Sequence, residues 1–304
     1  MYIYIILQPI MPPSKFNAAK TQIRECFQGF EARILKQSDI SSMLNQRRAE
    51  WNLPLGMSGA TFGKKLVEAK ILRFHSFPFP QRAERRYAKP DVPMMEVLQS
   101  IKANSYYTHA CAMQVHGLLN QCTLDIYLNF EQADHERGAL PEQVRIDAAF
   151  KANPRKTNNY FQDDSGDIIL LNGMHTGRLG VEEKYVSVPG REPANIRVTD
   201  LERTLIDITV RPYYAGGITA VLHAFAQARG RVKIARLMNY LTTLNYVYPY
   251  HQALGWYMEK AGFTAQETKK LRMMPRPRRF YLAHKMMKTE FDEAWQIFVP
   301  SNLS

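Results

Sequence analysis

The sequence predicts an α+β protein, with an N-terminal winged helix-turn-helix followed by a mixed α/β C-terminal domain rich in helices. Three observations carry this. Apolar residues recur at helical spacing through residues 16–70, and two short strand-like runs then flank a Pro-Phe-Pro turn. Basic charge is concentrated in the same stretch. Beyond it, helical and strand patterns alternate over a length sufficient for a second core, since an ordinary domain takes about 100–200 residues.

Residues 16–35 read as a helix through Ile23, Phe27, Phe30 and Ile34. Ser38 is placed to cap a helix over 39–51 that buries Ile40, Met43 and Leu44, and residues 52–56 form the turn. Ser58 caps a third helix reaching Lys70, with Phe62, Leu66 and Ala69 on one face and Ala60, Thr61, Lys64 and Glu68 mostly on the other. Residues 71–77 and 83–88 read as a hairpin around the turn at 78–81. Pro90 and Pro93 then mark a boundary, giving an unstructured extension over 1–13, the winged helix-turn-helix over 14–90 and a second domain over 91–304. In that domain helices are expected over 94–102, 108–116, 199–209, 218–228, 232–244, 250–261 and 264–271, and strands near 125–129, 167–171 and 185–188. The polar residues 137–157 read as a mobile connection, and Pro275 and Pro277 interrupt the chain before a final helix.

Across 304 residues, 45% of them apolar, Lys and Arg outnumber Asp and Glu by 40 to 28. A formal charge of +12 points to a polyanionic partner rather than to any fold. Residues 14–90 hold fifteen basic and six acidic side chains, whereas 91–268 hold seventeen and nineteen. A second excess lies in 269–288, with eight basic residues and no acid. Cys26, Cys111 and Cys122 include no Cys-x-x-Cys spacing, which argues against a disulfide scaffold or zinc ribbon and for a reducing cytoplasm. The apolar opening, residues 1–11, lacks a basic leader and is too short to span a bilayer; Met1 and Met11 are alternative starts, and no membrane association is expected.

The N-terminal half of a recognition helix enters the major groove while a wing touches phosphate. Here that half carries Ser58, Thr61, Lys64 and Lys65, and the wing carries Arg82, Arg85 and Arg86. The alternative for the same residues is solvated charge. Gly59 to Lys65 falls short of a phosphate-binding loop, with three residues between its glycines and Lys65 where Ser or Thr is needed. His109 and His116 lie seven apart on one helix without an evident third ligand, so a buried, hydrogen-bonded pair is preferred to a metal site, and neither metal nor cofactor is expected. Asp167, Glu182 and Lys184 loosely fit a magnesium-dependent PD-(D/E)xK nuclease, the alternative function, although that spacing is common by chance. From Lys269 to Arg279 cations interleave with prolines, a pattern suited to nucleic acid, an acidic partner or a solvated connection.

The most identifying stretch is 195–217. Thr199 and Glu202 form a Thr-x-x-Glu capping box, Leu201, Leu205 and Ile208 share a side, Arg203 and Asp207 stand four apart where they can pair, and Arg211-Pro212 ends the helix. Val198-Thr199-x-x-Glu202-Arg203-Thr204-Leu205-x-Asp207, followed by Arg211-Pro212 and Gly216-Gly217, resembles the signature of the AbiEi family of transcriptional regulators, the antitoxins of type IV toxin–antitoxin systems. Tyr107-Thr108-His109 with His116-Gly117-Leu118 and the strand from Leu124, and Leu254-Gly255-Trp256 with Glu259 and Gly262, are similar to two further family stretches. The resemblance spans roughly 105–263. It implies a non-enzymatic autorepressor of promoter DNA that counters a partner nucleotidyltransferase toxin in abortive phage infection, with dimerisation or cooperative binding on DNA. It also implies structural roles for Thr199, Glu202, Arg203 and Asp207. The chain itself has no Gly-Ser before an Asp-x-Asp, which nucleotidyltransfer would need.

Overall fold

The computed structural model describes residues 14–119, 125–163 and 166–303. The expectations for 1–13, including the start at Met11, and those for Cys122 and Leu124 lie outside the described residues. Among the described residues the chain is α+β, with eleven α-helices and twelve strands in three sheets. It falls into two compact units: the first ends at Pro78 and resumes over Ala83–Val97, and the second takes Phe79–Arg82 and runs on from Leu98. The division therefore lies inside a helix, beyond Pro90 and Pro93. Pro93 immediately precedes that helix, where a missing amide costs nothing, so it marks a helix start rather than a linker.

In the first unit α1 (Lys15–Gly29) is capped by Ser14, whose hydroxyl accepts the Asn17 amide at 3.3 Å, and buries Phe16, Ile23 and Phe27. It stops short of the expected residue 35: Phe30 is extended, and Ile34–Leu35 form β1 against a later strand. Helix α2 (Gln37–Arg47) buries Ile40, Met43 and Leu44. Its start is capped by the Asp39 carboxylate, which accepts the Lys36 amide at 2.7 Å, so Ser38 is not the cap. Helix α3 (Gly59–Glu68) is capped by Ser58, whose hydroxyl accepts the Thr61 amide at 3.1 Å. Strands β2 (Arg73–Phe77) and β3 (Glu84–Ala88) form the hairpin, and β1 joins it antiparallel in the order β1-β3-β2.

Phe62 of α3 packs against Phe16, Phe27 and Trp51 with ring centroids 6.1, 6.3 and 5.7 Å away, and it centres this unit's core. Two glycines let α3 seat closely. A Cβ on Gly59 would stand 2.1 Å from the Ser41 hydroxyl, and one on Gly63 would stand 2.7 Å from the Tyr87 hydroxyl.

The second unit is built on a mixed sheet. Its strands are β4 (Tyr106–Tyr107), β5 (Ile126–Glu131), β6 (Tyr160–Asp163), β7 (Gly166–Gly173), β8 (Val181–Val186) and β9 (Ala194–Thr199), in the order β6-β7-β5-β4-β9-β8. Helix α4 (Met94–Gln99) leads in, α5 (His109–Val115) follows β4, and α6 (Gln143–Lys151) lies where a mobile connection was expected. The apolar residues Ile146 and Phe150 bury one side of α6 and anchor that segment. Helices α7 (Leu201–Val210), α8 (Ile218–Ala228), α9 (Ile234–Leu244), α10 (Tyr250–Lys260) and α11 (Ala265–Met273) supply the main core, with Leu205, Ile206, Phe225, Leu237, Leu254 and Tyr257 fully buried.

The chain ends in a small sheet rather than the expected helix: β10 (Phe280–Tyr281), β11 (Thr289–Asp292) and β12 (Ile297–Pro300), ordered β10-β12-β11. Trp295, buried beside it, lies over α10 so tightly that a Cβ on Gly255 would sit 2.1 Å from the indole. No described helix is long and apolar enough to cross a membrane.

Candidate functional site

The outward side of α3 follows from its apolar back. Burying Phe62 and Leu66 leaves Ser58, Thr61 and Lys64, three residues apart in turn, on the opposite, exposed side. The Lys64 side chain is 80% exposed and stands 3.9 Å from Glu68, a spacing at which a solvated pair contributes little. Ser58 is exposed while it caps the helix and lies 2.9 Å from the Thr61 hydroxyl. Lys65 is half-buried, its ammonium 5.6 Å from the Phe16 ring centroid, so its stem covers core.

On the hairpin Arg85 is exposed, and Arg82 is exposed in the turn before β3. Arg86 is a correction: it is 4% exposed and donates to Glu84 at 3.3 Å and to the Arg85 carbonyl at 2.7 Å. Strand alternation sends neighbours to opposite faces, so Arg85 and Arg86 cannot both reach outward. The connection between α2 and α3, residues 48–58, exceeds the about three- to four-residue turn of a compact helix-turn-helix.

The stretch 199–207 is equally specific in the second unit, but its bonds differ from those expected. Thr199 closes β9 and its hydroxyl lies 2.8 Å from that of Thr204, whereas Asp200 caps α7 by accepting the Arg203 amide at 2.9 Å. The Thr199–Glu202 capping box is therefore absent. Glu202 is buried and accepts the Lys233 amide at 2.7 Å, at the start of α9, with Arg236 at 3.5 Å. Arg203 and Asp207 do pair, at 2.7 Å and almost without solvent access. Asp207 also accepts the Thr108 hydroxyl at 2.9 Å, and Arg203 donates to the Leu179 carbonyl at 2.7 Å. Burial opposes the Arg203 charge, yet the Asp207 carboxylate more than offsets it and holds the guanidinium above its ordinary pKa. The network continues through Thr176 to Glu131, which also accepts the Tyr106 hydroxyl at 3.1 Å.

His116 ends α5 with its Nε2 2.7 Å from the Thr199 carbonyl, as a hydrogen-bonded buried histidine should. His109 breaks the expected symmetry, for neither ring nitrogen has a partner. It lines, with Arg203 and Asp207, a cavity of about 820 Å³. Sequence reasoning missed this cavity because its lining is drawn from β4 to the segment after β10. Among the described residues no three His, Cys, Asp or Glu side chains are placed to hold a metal ion.

The nuclease trio is not brought together. Asp167 lies on β7 and Glu182 and Lys184 on β8, with β5, β4 and β9 between them, roughly 19 Å apart at ordinary strand spacing. Glu182 and Lys184 instead pair with each other at 3.6 Å on the surface. The basic segment after Lys269 is largely engaged. Arg272 pairs with Glu259, Arg272 and Arg276 lie 4.9 and 5.8 Å from the Trp295 ring, and Arg279 lies 6.0 Å from that of Phe298, while Lys269 and Lys270 are exposed.

No family model matches the chain, and no curated protein matches it. Among solved structures it is similar to the crystal structure of the RV2827C protein from Mycobacterium tuberculosis, at 12% identity and a TM-score of 0.56, covering 95% of this chain and 92% of that one. At that identity the likeness is one of fold.

Proposed function

We propose that the protein is a cytoplasmic, DNA-binding transcriptional autorepressor and antitoxin of the AbiEi kind, reading promoter DNA with a winged helix-turn-helix in the first unit and countering a nucleotidyltransferase toxin through the second. The carrying observation is the solvent side of α3, where Ser58, Thr61 and Lys64 stand exposed over a fully buried Phe62 and Leu66. Short polar and cationic side chains on an exposed helix are what base edges and phosphates require. The charge map supports the same placement, with fifteen basic against six acidic residues in 14–90. Arg85 acts on phosphate, Lys65 braces the helix, and Arg86 holds the hairpin. A pair of molecules on two half-sites would strengthen binding. Thr199, Glu202, Arg203 and Asp207 act by holding the second unit together, and the distance between Asp167 and Glu182 argues against the nuclease reading.

A reporter driven by the DNA upstream of the chain's own gene tests this. The parent should repress it, Lys64→Ala with Arg85→Ala should release it, and the released variant should still rescue growth when the cognate toxin is expressed. Equal reporter output with and without the parent, together with no rescue, would overturn the proposal.

A further inference from the structure

The cavity in the second unit is unusual for what it leaves unsatisfied. His109 is only 7% exposed, yet neither of its ring nitrogens is hydrogen-bonded, and its backbone sits at φ +49°, which L-residues seldom adopt. A buried polar group without a partner is costly and calls for an explanation, and a ligand supplies one. Burial pulls the His109 pKa down to about 4, so at neutral pH the ring is uncharged and offers one N–H donor and one acceptor. Arg137 adds a second orphan in the same lining: its Nη1 has no partner, while its Nη2 donates to the His175 carbonyl at 3.3 Å.

Aromatic and cationic groups complete the lining. The Tyr214 ring stands edge-on to His109 at 5.4 Å and 4.2 Å from Tyr213, and Tyr246 and Tyr250 meet edge to face at 5.3 Å elsewhere in the lining. Around Tyr213 cluster the ammonium of Lys156, 5.9 Å from the ring, and Arg211, 3.4 Å from the hydroxyl, while that hydroxyl donates to the Arg155 carbonyl at 2.6 Å. Among the described residues none of Arg155, Lys156 and Arg211 is ion-paired with a carboxylate. Asp207 is committed to Arg203 and Thr108, and the remaining acids of the lining, Asp134 and Glu136, are both exposed. At about 820 Å³ the space suits a small ligand.

We infer that this cavity binds a nucleotide, free or at the end of a single strand, with the base among the tyrosines and His109 and the phosphate on Arg155, Lys156 and Arg211. Tyrosine faces take any base by stacking, a neutral imidazole matches the mixed donor and acceptor edge of a base, and clustered cations take the phosphate. The site is separate from α3 and its failure would leave the DNA reading intact.

Calorimetry on the full chain tests it, with AMP, GMP, CMP, UMP and their triphosphates, the nucleosides, inorganic phosphate, and single-stranded RNA hexamers. The hexamers are titrated into a Lys64→Ala, Arg85→Ala background so that the first unit does not contribute. At least one nucleotide should bind with a Kd of about 1–100 μM, and Arg155→Ala with Lys156→Ala, both exposed, should weaken it at least about tenfold at unchanged Tm. His109→Leu should weaken it as well while leaving inorganic phosphate unaffected. Binding by hexamers alone, lost in the Arg155 and Lys156 variant, supports the inference and assigns the source to a strand end. No binding by any of these at millimolar concentration, affinity unchanged in both variants, or inorganic phosphate binding as tightly as any nucleotide, would each overturn it.

Discussion

Asp207→Asn isolates the contribution of the buried ion pair to the second unit. The substitution keeps the size of the side chain and an oxygen that can accept the Thr108 hydroxyl, at 2.9 Å in the parent, but removes the counter-charge 2.7 Å from Arg203. The guanidinium then stays buried beside the Leu179 carbonyl with no carboxylate to offset its desolvation. Breaking a buried pair on one side costs about 3–5 kcal/mol, far above the worth of a surface pair. For a unit of this size each kcal/mol lowers Tm by about 2–4 °C, so the transition should fall by roughly 6–20 °C. Thermal unfolding followed by circular dichroism reads the shift. Arg203→Met added to Asp207→Asn should recover a large part of it, because the uncompensated charge is gone. A single variant within about 0.5 kcal/mol of the parent, or losses that simply add in the double variant, would refute the reasoning.

Three other perturbations follow from the same geometry. Gly255→Ala forces a methyl to within 2.1 Å of the Trp295 indole and should cost about 1–3 kcal/mol in urea unfolding; an unchanged midpoint would mean that the ring is not seated there. Glu202→Ala strands the Lys233 amide and should cost about 1–3 kcal/mol, while Glu202→Gln, which keeps an acceptor, should lose less; equal losses would show that charge toward Arg236 dominates. His109 is protonated more readily in the unfolded chain, with a pKa near 6.5, than in the fold, where burial lowers it to about 4. The unfolded state therefore takes up more protons in that window, and stability should fall as pH drops from about 6.5 to about 4. His109→Leu should flatten part of this slope in guanidinium titrations across the window, and an unaltered slope would count against a buried neutral ring.

Long periodic segments were legible because a helix declares its buried side locally: Phe62 and Leu66 of α3, or Leu205 and Ile208 of α7, need no distant partner to be recognised. Two-residue strands were not. Tyr106–Tyr107 and Phe280–Tyr281 are strands only through neighbours such as Asn129, Leu128 and Ile297. The Thr-x-x-Glu pattern at 199–202 misled for a related reason. Thr199 is held in β9 opposite Val181, and Asp200, one residue later, offers its carboxylate to the helix start, freeing Glu202 to cap α9. The contrast between Arg85 and Arg86 follows from alternation on β3, where Arg86 shares its side with the buried Ala88, which the composition of the hairpin does not reveal. His109 was visible as a helix-start histidine, but its unsatisfied nitrogens and the convergence of Arg155, Lys156, Arg211 and Tyr248 around one cavity belong to tertiary structure.

The central claim, that the solvent side of α3 and the exposed hairpin arginine read DNA, is tested most directly by the salt dependence of affinity. Equilibrium binding of the full chain to DNA from upstream of its own gene would be measured across a salt series for the parent, Lys64→Ala and Arg85→Ala. Parent affinity should fall steeply with salt, Arg85→Ala should reduce the slope of log K against log salt by about 1, and Lys64→Ala should cost about 1–3 kcal/mol at fixed salt. Identical affinities and identical slopes for all three proteins would contradict the account.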